Sequence, residues 1–365
     1  MIKASRAIEN LKPYRPPQEG RVGKLRLDFN ENTVGCAPAV VRALKKALNR
    51  DWLSTYPEYE EGRRKLARTF RVSPEEMLLV NGTDDAIQVV RDTFLEEGDR
   101  VLVPAPTFPV YRLFAEAAGA RVQSIRYRED FSFPMEEFFA ALRRSPKWVA
   151  LANPNNPTGT LVTKPQLRKM LQAAPSTLFL IDEAYYEFSG QTVLPWVRRT
   201  RNLIVTRTFS KAFGLAALRM GCLFAHKSLA DLMRRGQNPF AVNSLALACA
   251  TEAVKHSGWV KGYVREVLAN RKIFCAALDR MNVAYVPSSS NFVLARIGPN
   301  SSRIADRLRR KKILVRDWSY DPRLKGYLRF TIGSTAQTRL LMKELQAMQN
   351  MIETRQDGRL RRRKT

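Results

Sequence analysis

Histidine is almost missing from this chain: two residues, His226 and His256, in 365. That scarcity argues against an imidazole-built metal centre and against a Ser-His-Asp relay, so no metal is expected. Cysteine is sparse too. Cys36, Cys222, Cys249 and Cys275 lie far apart with no C-x-x-C pairing, which speaks against a disulfide framework or a zinc site. No run approaches the ~18 apolar residues of a membrane span, and residues 1–10 mix charge with Ala and Ile rather than forming an apolar leader core. A cytoplasmic location is the expectation. Acidic residues are also short, at 34 Asp plus Glu against 62 Lys plus Arg, a formal charge of +28.

What is present is ordinary globular material, 45% hydrophobic and 26% charged, which excludes wholesale disorder. The length suits roughly two domains at about 150 residues each. The positive charge has three readings: a solvated basic surface, a field drawing in anionic ligands, or phosphate contacts to nucleic acid. Arginine outnumbers lysine about two to one, and most cations are scattered. Only Arg359 to Lys364 is a dense run, and no helix-turn-helix or aromatic-glycine RNA signature accompanies it. The solvated surface ranks first.

Residues 77–225 repeat one rhythm, a short apolar run, a turn, then an amphipathic stretch. The runs are 77–80, 101–103, 148–152, 178–181, 203–206 and 221–225, with helices expected at 84–95, 109–118 and 166–173. Continuous apolar strands alternating with helices predict a mostly parallel sheet covered on both faces. Ligands in such α/β folds collect beyond the carboxyl ends of the strands. From about residue 257 the pattern changes to a long helix, 258–281, followed by strands near 283–286, 292–297, 314–316 and 327–332 and helices at 303–310 and from 335. This reads as a smaller α+β domain. The expected division is an N-terminal arm over 1–33 joining the small domain, a large three-layer domain over 34–257, the small domain over 258–350, and a basic tail, 351–365, expected to be disordered.

The polar residues that end the apolar runs carry the chemistry. Lys211, in Thr208-Phe-Ser-Lys211, follows a strand in a setting of small and apolar residues. A surface lysine is the ordinary reading, but desolvation would lower its pKa and make the amine a nucleophile toward carbonyls. Thr208, Ser210 and Arg219 are close enough in sequence to hold a phosphate. Asp182 closes the run Leu178-Phe-Leu-Ile-Asp182. Read alone it is a helix cap. Facing a crevice it needs a cationic partner, such as a pyridinium nitrogen, with Tyr185 near enough to hydrogen-bond an adjacent oxygen. Asn81-Gly82-Thr83-Asp84-Asp85 joins a strand to a helix, and its free N–H groups make a phosphate cradle. Asn153-Pro-Asn-Asn156-Pro-Thr-Gly159 is a turn stiff enough to present Asn156 to the crevice. Phe108, on composition alone, is core.

Together these motifs resemble the aspartate-aminotransferase-like, fold type I family of pyridoxal-phosphate enzymes, with Asp182 and Tyr185, Lys211 and Arg219 eight residues apart, and the Asn-Pro-Thr-Gly turn in the family's order. The resemblance implies that Lys211 bonds covalently to pyridoxal 5'-phosphate and shuttles the proton, and that Asp182 keeps the ring nitrogen protonated. It implies that Asn156 and Tyr185 bind the ring's phenolic oxygen. Gly82, Thr83, Asp84, Thr208 and Arg219 would surround the phosphate, and Phe108 would stack on the ring. Tyr56 would reach the cofactor of a neighbouring subunit, implying a homodimer.

Further segments, among them Leu11-Lys-Pro-Tyr14, Asn30-Glu-Asn32, Asp182-Glu-Ala-Tyr-Tyr-Glu-Phe188 and Leu314-Val-Arg-Asp317, are similar to the branch of that family acting on histidinol phosphate with 2-oxoglutarate or glutamate. By that resemblance Tyr14, Asn30, Arg316 and Arg329 bind substrate, with guanidinium forks suited to carboxylate and phosphate alike. Thr33-Val-Gly-Cys-Ala-Pro38 departs from the branch's usual Pro-x-Gly-Pro-Ser-Pro, and Ala241 stands where Asn is common. An aromatic or broad-range aminotransferase and a threonine-phosphate decarboxylase-like lyase stay open as alternatives. A basic nucleic-acid-binding protein on a retired enzyme fold is the rival of another class.

Overall fold

The computed structural model describes residues 2–14 and 16–354; the basic run Arg359 to Lys364 lies outside the described residues. Among the described residues twelve strands form two sheets. β1 (Leu25–Leu27), β9 (Tyr285–Val286), β10 (Phe292–Arg296), β11 (Ile313–Asp317) and β12 (Tyr327–Thr331) make the smaller one, in the order β1-β11-β12-β10-β9. The larger one contains β2 (Met77–Val80), β3 (Arg100–Ala105), β4 (Arg121–Arg126), β5 (Trp148–Ala152), β6 (Leu178–Asp182), β7 (Leu203–Thr208) and β8 (Gly221–Ala225), in the order β2-β8-β7-β6-β5-β3-β4. Only β8 runs against its neighbours. The other six are parallel and deliver their carboxyl ends to one edge.

The apolar runs become strands whose two faces are both covered, β2 included although it lies at one edge of the sheet. Every residue of β2, β5, β6, β7 and β8 is buried. Trp148, Phe179 and Phe224 are among the largest side chains completely enclosed there. The chain steps outward from β3 to β4, then returns across β3 to β5. That reversal is the switch point at which an open parallel sheet leaves a crevice.

Two strands escape a reading by periodicity. β4, Arg-Val-Gln-Ser-Ile-Arg, has only two apolar residues and none fully buried, so it lacks the continuous hydrophobic run and lies at the sheet edge. β1 falls in the segment expected to be an extended arm, together with a short helix, Arg6–Glu9. It pairs in parallel with β11, Leu25 opposite Ile313, so its partner is supplied from almost 290 residues away. Among the described residues no helix is long and apolar enough to cross a membrane.

Candidate active site

At the carboxyl edge of the large sheet a cavity of about 140 Å³ is lined by Thr83, Asp84, Phe108, Tyr111, Asn156, Asp182, Tyr185, Thr208, Ser210, Lys211 and Arg219, with Ala152 and Ala184 between them. The strand ends of β2, β3, β5, β6 and β7, spread over some 130 residues of sequence, thus converge on one small volume.

Asp182 ends β6 with its carboxylate buried. Tyr111 donates a hydrogen bond to Oδ2 at 2.7 Å, and Thr206 and the Ala184 N–H donate to Oδ1 at 2.9 and 3.1 Å. Burial raises the pKa of this acid, while the bonds from Tyr111 and Thr206 pull it down. A cation in the cavity would favour the charged form further. The Ala184 contact is a tight-turn bond two residues on and not a helix cap: the short helix Tyr186–Ser189 starts after Tyr185 and has no side-chain cap.

Lys211 is half-buried past the end of β7. Its Nζ donates to the Phe29 carbonyl at 2.8 Å. Burial first, then the positive charges of Arg329 and Arg219, lower its pKa to about 8. Its amine is therefore partly neutral near physiological pH, as a nucleophile must be. Tyr185 lies beside it, the amine 5.9 Å from the ring centre. The Tyr185 hydroxyl accepts from Asn30 Nδ2 at 2.9 Å, and burial pushes its pKa up to about 12.

The opposite end of the cavity is an anion cradle. Gly82 opens the helix Gly82–Phe94 with φ +81°, and a Cβ built there would come within 2.6 Å of Arg219 Nη2. Only glycine lets the guanidinium lie so close to a helix N-terminus. Arg219 is itself left-handed, at φ +55°, and touches Ser210 Oγ at 3.4 Å and Asp84 at 3.2 Å. The ionised Asp84 carboxylate cannot donate to a phosphate and pairs with Arg219, while its main-chain N–H belongs to the first turn of the helix. A buried carboxylate lacking a cation, a depressed lysine and a cradle for an anion fit pyridoxal phosphate in donor chemistry. We expect Gly82→Ala to push Arg219 aside and weaken cofactor retention roughly tenfold, the worth of one charge-assisted hydrogen bond, read by equilibrium dialysis with circular dichroism as the folding control.

Arg316 and Arg329 meet through strand register. They are direct partners across the antiparallel pair β11 and β12, so both project from one face. Both are buried. Arg329 bonds Asn156 Oδ1 and the Asp28 carbonyl, and Arg316 lies between the rings of Phe29 and Tyr320. Tyr14 is near enough to influence Arg329 and Tyr185 electrostatically. Tyr56 is not brought to this cavity. It is 73% exposed and packs on Phe240 with ring centres 4.5 Å apart.

Several members went unnoticed in the sequence. Tyr111 sits at the end of the Pro106 to Tyr111 segment, yet nothing local ties it to Asp182. Thr206, Tyr320 and the Phe29 carbonyl carry no motif. Behind the site, Arg207 joins β7 to β6 through Glu183 at 2.8 Å and lies 3.4 Å over the Tyr186 ring. That buried pair braces the strand ends bearing Asp182 and Thr208.

Parallel strand ends that present a lysine, a buried aspartate and an anion cradle define a pyridoxal-phosphate-dependent transferase. Comparison with known proteins agrees: the family described as aminotransferase class I and II matches residues 22–345. The chain belongs to that family and is a pyridoxal-phosphate-dependent aminotransferase. A histidinol-phosphate aminotransferase of Caldanaerobacter subterraneus subsp. tengcongensis is 34% identical over 316 residues, 86% of this chain and 89% of that protein. The crystal structure of histidinol-phosphate aminotransferase from Sinorhizobium meliloti, in complex with pyridoxal-5'-phosphate, superposes with a TM-score of 0.87 at 26% identity, covering 96% of this chain and 98% of that one. L-threonine-O-3-phosphate decarboxylase from Porphyromonas gingivalis also superposes, with a TM-score of 0.78 at 26% identity over 89% of this chain and 99% of that one.

Proposed function

We propose that this aminotransferase exchanges the amino group of histidinol phosphate with 2-oxoglutarate, giving imidazole acetol phosphate and glutamate, a step of histidine biosynthesis. The observation that carries the reading is the buried, register-matched pair Arg316 and Arg329, with Arg329 close enough to depress the Lys211 amine. Two paired forks suit a phosphate on one substrate and a carboxylate on the other, so one pocket serves both half-reactions. The name borne by relatives at 34% and 33% identity supports it.

When bound, pyridoxal phosphate supplies a conjugated ring that accepts the electron pair left as the Cα–H bond breaks. The rest is work for this chain. Lys211 holds the cofactor, and its freed amine takes the Cα proton of the amino donor and returns a proton to the Cα of the acceptor. Asp182, held by Tyr111 and Thr206, keeps the ring nitrogen protonated. Tyr185 and Asn156 would hold the phenolic oxygen, Phe108 would cover the ring, and Gly82, Thr83, Thr208, Ser210 and Arg219 would grip the phosphate. Tyr14 and Asn30 complete the substrate pocket with Arg316 and Arg329.

The working form in this reading is a homodimer in the cytoplasm. The exposed, tilted ring pair Tyr56 and Phe240, with Leu53 63% exposed nearby in sequence, supports a partner surface. The four cysteines stand free, compatible with a reducing compartment.

A threonine-phosphate lyase would keep the cofactor residues and one phosphate-binding arginine, and the decarboxylase superposition favours it as the second reading. Assays with 2-oxoglutarate and histidinol phosphate, phenylalanine or threonine phosphate separate the three. Histidinol phosphate should give the highest kcat/KM. Carbon dioxide release from threonine phosphate, or preference for phenylalanine, would overturn the assignment. Arg316→Gln should raise KM for histidinol phosphate about 10- to 100-fold, the value of a charged hydrogen bond, and alter kcat little.

A further inference from the structure

The net charge of +28 is not consumed by the active site, and part of the excess is organised. At the far end of β6 and β7, on the turns that lead into them, a groove of about 870 Å³ runs between the second half of the helix Lys164–Ala173 and the short helix Leu194–Arg199. Arg168, Arg198, Arg199 and Arg201 line it, with Trp196 and Gln172. Asp182 and Thr208 end the same strands at their other ends. The groove is therefore about a strand length from the catalytic cavity, on the order of 13 Å or more at ~3.3 Å per residue.

Three features distinguish it from a merely solvated basic face. First, three of its four arginines are left without acids. Arg198 pairs with Glu76 at 3.2 Å, but among the described residues no ion pair is formed by Arg168, Arg199 or Arg201, although nineteen other pairs occur elsewhere. Second, the walls are held in place. Asn202 Nδ2 donates to the carbonyls of Leu171, Ala174 and Thr177 at 3.5, 3.1 and 3.1 Å, pinning one turn to the helix end. The Arg168 guanidinium lies 4.9 Å over the Trp196 ring, so its planar fork is oriented before any ligand arrives. Third, the groove is concave and falls in the ~300–1,000 Å³ range of small-ligand sites. Guanidinium forks recognise phosphate oxygens bidentately, and preorganised walls reduce the ordering cost of binding.

We propose that this groove binds an oligophosphate, a chain of two or more linked phosphates. Three uncompensated arginines match the several negative charges of such a chain better than one orthophosphate. The test distinguishes a free phosphate chain from one carried by a nucleoside.

The test titrates tripolyphosphate, a nucleoside triphosphate, orthophosphate and a single-stranded oligonucleotide into the holoenzyme by calorimetry. Wild type is set beside Arg199→Ser/Arg201→Ser and a control of equal charge loss on another exposed helix, Arg303→Ser/Arg310→Ser. Tripolyphosphate should bind at least tenfold tighter than orthophosphate. It should weaken at least tenfold in the groove variant and less than twofold in the control, with transamination kcat/KM unchanged in both. Equal affinity for tripolyphosphate and nucleoside triphosphate assigns the phosphate chain alone; tighter nucleoside triphosphate assigns a nucleotide. Equal losses in both variants, or none in either, would overturn the site in favour of a diffuse field or binding in the catalytic pocket. Oligonucleotide binding that depends on the groove, without oligophosphate binding, would overturn it in favour of nucleic acid.

Discussion

Lys211→Ala should lower kcat at least about 10⁴-fold, because it removes both the covalent anchor and the proton carrier, and should abolish the visible absorption band of the cofactor-loaded protein. The site predicts a pH signature as well. A lysine amine attacks a carbonyl only when neutral, and burial beside Arg329 and Arg219 lowers this one from 10.5 to about 8. Cofactor loading of the apoenzyme, followed by stopped-flow absorbance, should therefore rise about tenfold per pH unit up to about 8 and then level. An unshifted lysine would go on rising past pH 10. Stability follows with a definite sign. Between about pH 8 and the unfolded value of 10.5 the folded apoenzyme binds fewer protons than the unfolded chain, so its stability rises with pH across that window. Lys211→Met should remove that rise in thermal melts. A visible band persisting in Lys211→Ala would refute the assigned role of this residue.

Asp182→Asn should reduce kcat roughly 10²- to 10³-fold, the usual cost of deleting one preorganised electrostatic partner from an active site. The substitution keeps volume, but the amide N–H₂ then faces a donor, Tyr111 or Thr206, where the carboxylate accepted from both. The fall should appear in the single-turnover rate of the amino-donor half-reaction, with KM for 2-oxoglutarate nearly unchanged. Thermal melts separate this from unfolding. Tyr111→Phe makes the finer comparison: it removes one of the three bonds to Asp182, the one at 2.7 Å, and should lower the same rate by about tenfold or less. A larger loss in Tyr111→Phe than in Asp182→Asn would mean that the hydroxyl, not the carboxylate, is the essential group.

The two substitutions also mark where sequence reading stops. Asp182 and Lys211 are legible because each ends a continuous apolar run, and a charged group in that position must find a partner or a function. Tyr111 belongs to an unremarkable apolar helix start, and its contact with Asp182 spans 71 residues. Arg316 and Arg329 were visible as a pair thirteen residues apart, but their adjacency depends on which residues of β11 and β12 face each other. Shifting either strand by one residue would turn one guanidinium away from the pocket.

Local order in this protein came from the sequence: the parallel strands, the helices between them, and the polar residues at the strand ends. Side-chain periodicity and turn chemistry act between near neighbours, so they can be read without the fold. Tertiary structure alone decided that β8 reverses, that β1 joins the sheet of β11, and that the Phe29 carbonyl receives Lys211. It also gathered Arg168, Arg199 and Arg201 around Trp196 at the far end of the strands. These are pairings between distant segments, fixed by hydrogen-bond register and shared burial, and neither quantity is a property of any one stretch of chain.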